Sequence, residues 1–223
     1  MVVATWLVTG ANRGIGLELA RQLHARGDTV IATCRTSSPE LDAVGCRVLE
    51  GIDVGSDGVG EALDAALDPG ERIDVVVNNA GIGGWDSLER FDPELARRQF
   101  DVNTLGPLRV TLALLPRLGQ GAKVGFVSSK AGSIGDRPSG GNYGYRMSKS
   151  ALNMGAANVA AELGSRGILV VVLHPGFVRT EMTSRSGNVD PPEAAAGLIA
   201  RLDELDASGH GTFVHANGDA IPW

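Results

Sequence analysis

Short apolar runs of strand type alternate along this chain with longer segments of helical periodicity, and that alternation leaves few folds open. The runs fall at residues 3–8, 29–34, 47–49, 73–77, 123–127 and 168–173. Between most of them, at 15–26, 58–67, 93–118 and 145–166, apolar residues recur at helical spacing. A strand, a helix and a further strand close as a right-handed βαβ unit, which makes the sheet parallel and buries both of its faces. The continuous Val-rich strands fit that double burial. A final helix at 192–205 and a short last strand at 211–215 complete the series, and no internal repeat or low-complexity linker interrupts it. The expectation is one α/β domain over residues 1–223, a doubly wound parallel sheet with helices on both faces.

Composition narrows the partners. A chain of 223 residues with 43% hydrophobic content can bury a substantial core as one domain. Its 20 basic and 26 acidic residues give a net charge of -6, and the arginines are scattered, which argues against a nucleic-acid surface. The opening MVVATWLVTG carries no basic segment ahead of its apolar residues and turns at Gly10, so it reads as a strand rather than a signal peptide. The longest fully apolar run, 168–173, is far too short to span a bilayer. Cys34 and Cys46 are too few for a disulfide framework or a zinc site, and the four histidines show no metal-ligand spacing. A soluble, cytoplasmic protein without nucleic-acid, membrane or metal partners is expected.

Two motifs carry chemistry. The stretch TGANRGIG (9–16) follows the first strand and opens the first helix, where Gly10, Gly14 and Gly16 let the backbone turn sharply and approach a pyrophosphate held at the helix N-terminus. Its GxxxGxG spacing differs from the better-known GxGxxG. Further on, SGGNYGYRMSKSALNMG (139–155) places two tyrosines just ahead of one of the chain's three lysines. Positions four apart share a helix face, so Tyr145 and Lys149 reach a common ligand, whereas Tyr143 and Lys149, six apart, do not. A phenol, with an ordinary pKa of about 10, becomes a useful acid or base when a neighbouring cation favours its ionised form. Tyr143 reads instead as an aromatic packed at the pocket mouth.

From these motifs onward the chain resembles the short-chain dehydrogenase/reductase family, whose glycine motif has the form TGxxxGxG. NNAG (78–81) closes the fourth strand as the family's does, VNTLG holds the family's helix asparagine at Asn103, and SS (128–129) ends the fifth strand; YxxxK and HPGFVRT follow in the family's order. The compact length and the NGDAIPW ending look most like the carbonyl reductase subgroup that includes C-factor and sniffer-type proteins. The resemblance implies a Rossmann fold and an NADPH-dependent reductase of ketones or aldehydes. It also implies roles: Tyr145 as general acid, Lys149 lowering its pKa and binding the nicotinamide ribose, Ser129 holding the carbonyl oxygen, and Asn103 anchoring a relay water. Relatives often place the serine about thirteen residues before the tyrosine; Ser129 precedes it by sixteen and Ser133 by twelve, so Ser133 is the fallback and Ser128 reads as a strand residue. A nucleotide-binding signalling protein of C-factor type is the alternative function.

Cofactor contacts follow by position. Beside Gly10, Gly14 and Gly16, the loop residues Asn12, Arg13 and Ile15 are expected at the cofactor; Asp53 should meet the adenine amino group with Val54 beside it. Asn78, Ala80 and Gly81 would line the adenosine ribose. Pro175, Gly176, Val178 and Thr180 would border the nicotinamide. NAD-preferring relatives end the second strand with an aspartate, but eighteen residues on from Gly16 stands Cys34, followed by Arg35. Arg13 and Arg35 can therefore converge on a 2′-phosphate, which favours NADPH. The short segment after Thr180 suggests an open pocket, with Ile82, Trp85, Ile134, Tyr143, Phe177 and Met182 as candidate lining for a hydrophobic carbonyl compound. Small residues along the Tyr145 helix predict a homodimer or homotetramer.

Overall fold

The computed structural model describes residues 3–136 and 139–223. Seven strands form one parallel sheet: β1 (Thr5–Thr9), β2 (Thr29–Thr33), β3 (Arg47–Leu49), β4 (Ile73–Asn78), β5 (Leu118–Val127), β6 (Leu169–His174) and β7 (Thr212–His215). Their order is β3-β2-β1-β4-β5-β6-β7, so the winding reverses between β1 and β4 and opens a crevice at the C-terminal ends of those strands. This is the expected doubly wound sheet.

The strand side chains alternate between two cores. Leu7 joins Val76, Val124 and Phe126 on one face, under α3 (Val59–Ala66), α5 (Gly106–Leu114) and α6 (Tyr143–Leu163). Trp6 and Val8 join Val75, Val77 and Leu173 on the other, under α1 (Gly14–Arg26) and α7 (Pro191–Asp203). A one-turn helix, α2 (Pro39–Asp42), was not expected; Ser38 caps it, accepting from the Leu41 N–H at 3.2 Å, and Pro39 supplies its first residue.

The helix expected at 93–118 is instead four helical segments and the start of a strand. After α4 (Pro93–Phe100) the chain makes one wide π-turn at Asp101–Leu105, continues as α5, tightens to a 3₁₀ turn at Leu115–Arg117 and enters β5 at Leu118. Two prolines account for the breaks. Pro107 has no N–H for the carbonyl four residues back, that of Asn103, and Pro116 ends α5. The π-turn contains the buried Asn103, and such insertions are frequent at functional sites.

Candidate active site

A cleft of about 970 Å³ lies over the strand ends at the reversal point, lined by Gly10, Arg35, Asp53, Ala80, Tyr145 and Lys149 among others. The glycine loop forms one wall. Gly10 has φ +65°, and a side chain there would press on the Ala80 backbone at 2.8 Å; a Cβ on Gly16 would lie 2.2 Å from the Gly10 carbonyl. Only glycine fits both places. Asn12, Arg13, Gly14 and Ile15 face the cleft, as do Val54, Gly81, Pro175 and Thr180. Gly16 does not: it lets α1 pack beneath the loop and makes no wall of the cleft.

Three other expected cofactor contacts, Asn78, Gly176 and Val178, are not among the residues that line the cleft. Asn78 is buried in β4, where its amide donates to the Thr111 hydroxyl at 3.0 Å. Its neighbour Asn79 lines the cleft instead, donating to the Thr9 and Gly10 carbonyls and so bracing the glycine loop. Side chains alternate between faces along a strand, and Asn79 is where β4 has ended and the chain turns outward. Gly176 and Val178 also lie behind the cleft wall: Gly176 sits against Val189, and Val178 is buried with its carbonyl taken by the Thr183 hydroxyl at 2.7 Å. Arg179, Glu181 and Arg185 line the cleft and were not anticipated; no sequence pattern distinguishes them from surface charges.

At the adenosine end, Cys34 is buried at the tip of β2 and burial pushes its thiol pKa up, so the position carries no negative charge at neutral pH. Arg35 beside it is exposed and forms no ion pair among the described residues. Arg13 reaches across the mouth to Glu181 at 2.9 Å, with both side chains 65% exposed. An ion pair so exposed is weak and exchanges readily for a better anion.

At the other end, Tyr145 is the third residue of α6 and Lys149 lies one turn on, its ammonium 5.9 Å from the phenol ring centroid. Lys149 is 5% exposed and donates to the Val127 carbonyl at 2.9 Å; burial brings its pKa down to about 8. Burial likewise pushes the Tyr145 phenol up, the adjacent Ser129 hydroxyl pulling it partly back. In both cases burial disfavours the charged form of the group. Ser129, two residues past the end of β5, stands beside the phenol, whereas Ser133 is turned away and donates to the Pro222 carbonyl at 2.5 Å. Ser128, buried, donates to Asn153 at 2.6 Å.

Asn103 is fully buried and its side chain does not face the cleft. Its oxygen accepts from the Ile82 N–H at 2.8 Å, and its amide donates to the Ile82 carbonyl at 3.0 Å and the Ser148 hydroxyl at 3.1 Å. The side chain thus ties the segment after β4 to α6, using both of its N–H donors and one of the two lone pairs on its oxygen. Tyr143 packs edge-on against Phe91, ring centroids 6.2 Å apart, and does not line the cleft. Of the apolar candidates, Ile82 and Met182 line it, while Trp85, Ile134 and Phe177 are exposed. Of the histidines, His24 is exposed, and His210 accepts from the Val170 N–H at 3.1 Å. Among the described residues no group could hold a metal ion, and no helix is long and apolar enough to cross a membrane.

The short chain dehydrogenase family profile matches residues 4–190. The chain belongs to the short-chain dehydrogenase/reductase family. Within it, the chain is 43% identical to the 1-hydroxy-2-glutathionyl-2-methyl-3-butene dehydrogenase of Rhodococcus sp. (strain AD45), over 99% of this chain and 100% of that one. It is 41% identical to the C-signal protein of Myxococcus xanthus over 68% of this chain and 93% of that one. Among solved family structures, the NADPH-bound carbonyl reductase from chicken fatty liver superposes with a TM-score of 0.89 at 28% identity, and the carbonyl reductase Sniffer of D. melanogaster with 0.91 at 28%, each over the whole of both chains.

Proposed function

We propose that this protein is an NADPH-dependent reductase of ketones or aldehydes. The observation that carries the reading is that one cleft joins, from end to end, a phosphate cradle with an unpaired arginine and the Tyr145–Lys149 pair beside Ser129. The glycine loop and the α1 N-terminus would hold the pyrophosphate, Arg35 and Arg13 a 2′-phosphate, and Lys149 the nicotinamide ribose. The chicken enzyme, bound to NADPH, supports that choice of cofactor. The nicotinamide supplies a hydride when bound.

The chain's own groups handle the proton. A phenol whose pKa is raised stays protonated at neutral pH, which suits a donor to a carbonyl oxygen becoming an alcohol. Ser129 orients that oxygen with its hydroxyl. Lys149 resupplies the phenol, and a pKa near 8 lets it give up and regain a proton near neutral pH. Asn103 would hold a relay water at its main-chain carbonyl, for which Pro107 supplies no α-helical donor, or at the remaining lone pair of its side-chain oxygen.

The Rhodococcus relative favours a second reading of the same site, the oxidation of an alcohol bearing a bulky polar substituent, with Tyr145 accepting the proton. The C-signal relative covers less of the chain, and all four expected catalytic residues are present, so turnover is preferred to a purely signalling role. The test is NADPH binding followed by its oxidation with a panel of carbonyl compounds, and the reverse assay with thioether alcohols. Binding without turnover in either direction would reject the reductase reading and favour signalling.

A further inference from the structure

The N-terminus of α6, which presents Tyr145, is capped by a residue from another part of the fold. An N-cap residue normally has extended backbone and turns its own side chain onto the first free N–H groups of the helix. Asn142, in that position, is left-handed instead (φ 55°, ψ 47°), makes no cap, and leaves its buried side-chain oxygen without a partner. Asp86, in the loop after β4, takes over. Its carboxylate accepts from the Tyr143 N–H and, at 3.4 Å, from the Gly144 N–H, while its carbonyl accepts from the Asn142 N–H at 2.8 Å.

Asp86 is 3% exposed and forms no ion pair among the described residues, so these N–H groups and the positive end of the helix are what stabilise its charge. The same loop is held a second time at Ile82, whose N–H and carbonyl are bound by Asn103, itself bonded to Ser148 on α6. Segment 82–86 is therefore fastened to α6 on both sides of Tyr145. Gly144 presses the start of the helix onto α4, where a Cβ would lie 2.9 Å from the Ala96 backbone.

We infer that Asp86 is a positioning residue for Tyr145: by capping α6 from the loop after β4, it fixes where the phenol stands relative to the substrate side of the cleft. The inference rests on the reading of Tyr145 as proton donor. Asp86 touches neither substrate nor cofactor in this role, since it lies outside the cleft lining.

The test has two arms. In steady-state assays with NADPH and a carbonyl substrate found by the panel, Asp86→Ala is expected to lower kcat about tenfold, as a displaced catalytic group does, with KM and NADPH affinity within about twofold of wild type. Asp86→Asn, whose side-chain oxygen can still accept, should recover most of kcat. An unchanged kcat in Asp86→Ala, or a loss of NADPH affinity in step with kcat, would overturn the inference. The second arm uses the wild-type protein: the Tyr143 and Gly144 amides, which an uncapped helix leaves to water, should exchange hydrogen slowly. Rapid exchange there overturns the cap even where Asp86→Ala does not fold. If Tyr145→Phe keeps full turnover, it is the donor assignment that fails, while the exchange result still judges the cap.

Discussion

The two ends of the cleft are built by different means. At the adenosine end, the turn after β1 and the tip of β2 do their work through backbone shape and local sequence: TGANRGIG makes the cradle, and Cys34-Arg35 follows where a carboxylate would exclude a 2′-phosphate. At the Tyr145 end, the decisive contacts join residues far apart in the chain, Asp86 to Tyr143 and Asn103 to Ile82 and Ser148. The first end is stabilised by what glycine permits, the second by buried polar groups that satisfy one another. Damage should differ accordingly: discrimination between cofactors at one end, turnover and acid stability at the other.

The largest expected effect is at the catalytic end. Tyr145→Phe should reduce kcat by at least 10² to 10⁴ while NADPH binding stays nearly intact, and Tyr143→Phe should keep a substantial fraction of activity. Equal losses from the two substitutions, measured under saturating cofactor, would erase the distinction drawn between the tyrosines.

Next comes acid stability, set behind the same end by His174 on β6. Burial, and after it His215 and Lys130, push the His174 pKa down to about 4. The folded state then resists a proton that the unfolded chain takes up at about pH 6.5. The His174 contribution to stability is lost as pH drops from 6.5 towards 4, by about 3 kcal/mol in all, and changes no further below. Urea unfolding between pH 7 and pH 4 should show this slope in wild type and a smaller one in His174→Gln. Identical slopes would put the acid sensitivity elsewhere.

At the adenosine end the effects are smaller and selective. Arg35→Ala should weaken NADPH binding roughly tenfold to a hundredfold and leave NADH nearly unchanged, since each charge-assisted hydrogen bond contributes about 1.5–3 kcal/mol. Cys34→Asp should move preference further towards NADH. A wild type that prefers NADH, by the ratio of kcat/KM values, would show that the arginines there serve some other purpose. The smallest effect concerns both ends equally: Phe100, Leu112, Met147 and Met154 are exposed apolar side chains on α4, α5 and α6, and self-association through those helices should appear as a dimer or tetramer in sedimentation. A monomer at all concentrations would refute it.

The cradle was readable from the chain because its parts are neighbours in sequence, and a tight turn between strand and helix has few solutions. Asn78 and Asn79 show where such reading stops. Both belong to NNAG, but the expected contact, Asn78, closes β4 facing inwards, and only the strand's end point assigns the cleft to Asn79. The helix expected at 93–118 was likewise legible in its apolar spacing and not in its breaks, although Pro107 and Pro116 were the signal that could have located them.

By itself, then, the sequence determined the winding of the sheet, the glycine cradle, the missing carboxylate at Cys34 and the pairing of Tyr145 with Lys149, because each depends on residues within one strand, turn or helix. Tertiary structure alone decided that Asn103 binds Ile82 at both its N–H and its carbonyl, that Ser133 turns to the Pro222 carbonyl, and that Asp86 caps α6. Those outcomes depend on which buried donors and acceptors are brought within about 3 Å of one another once the layers pack. Residues 57 positions apart, like Asp86 and Tyr143, carry no mark of that meeting in their local sequence.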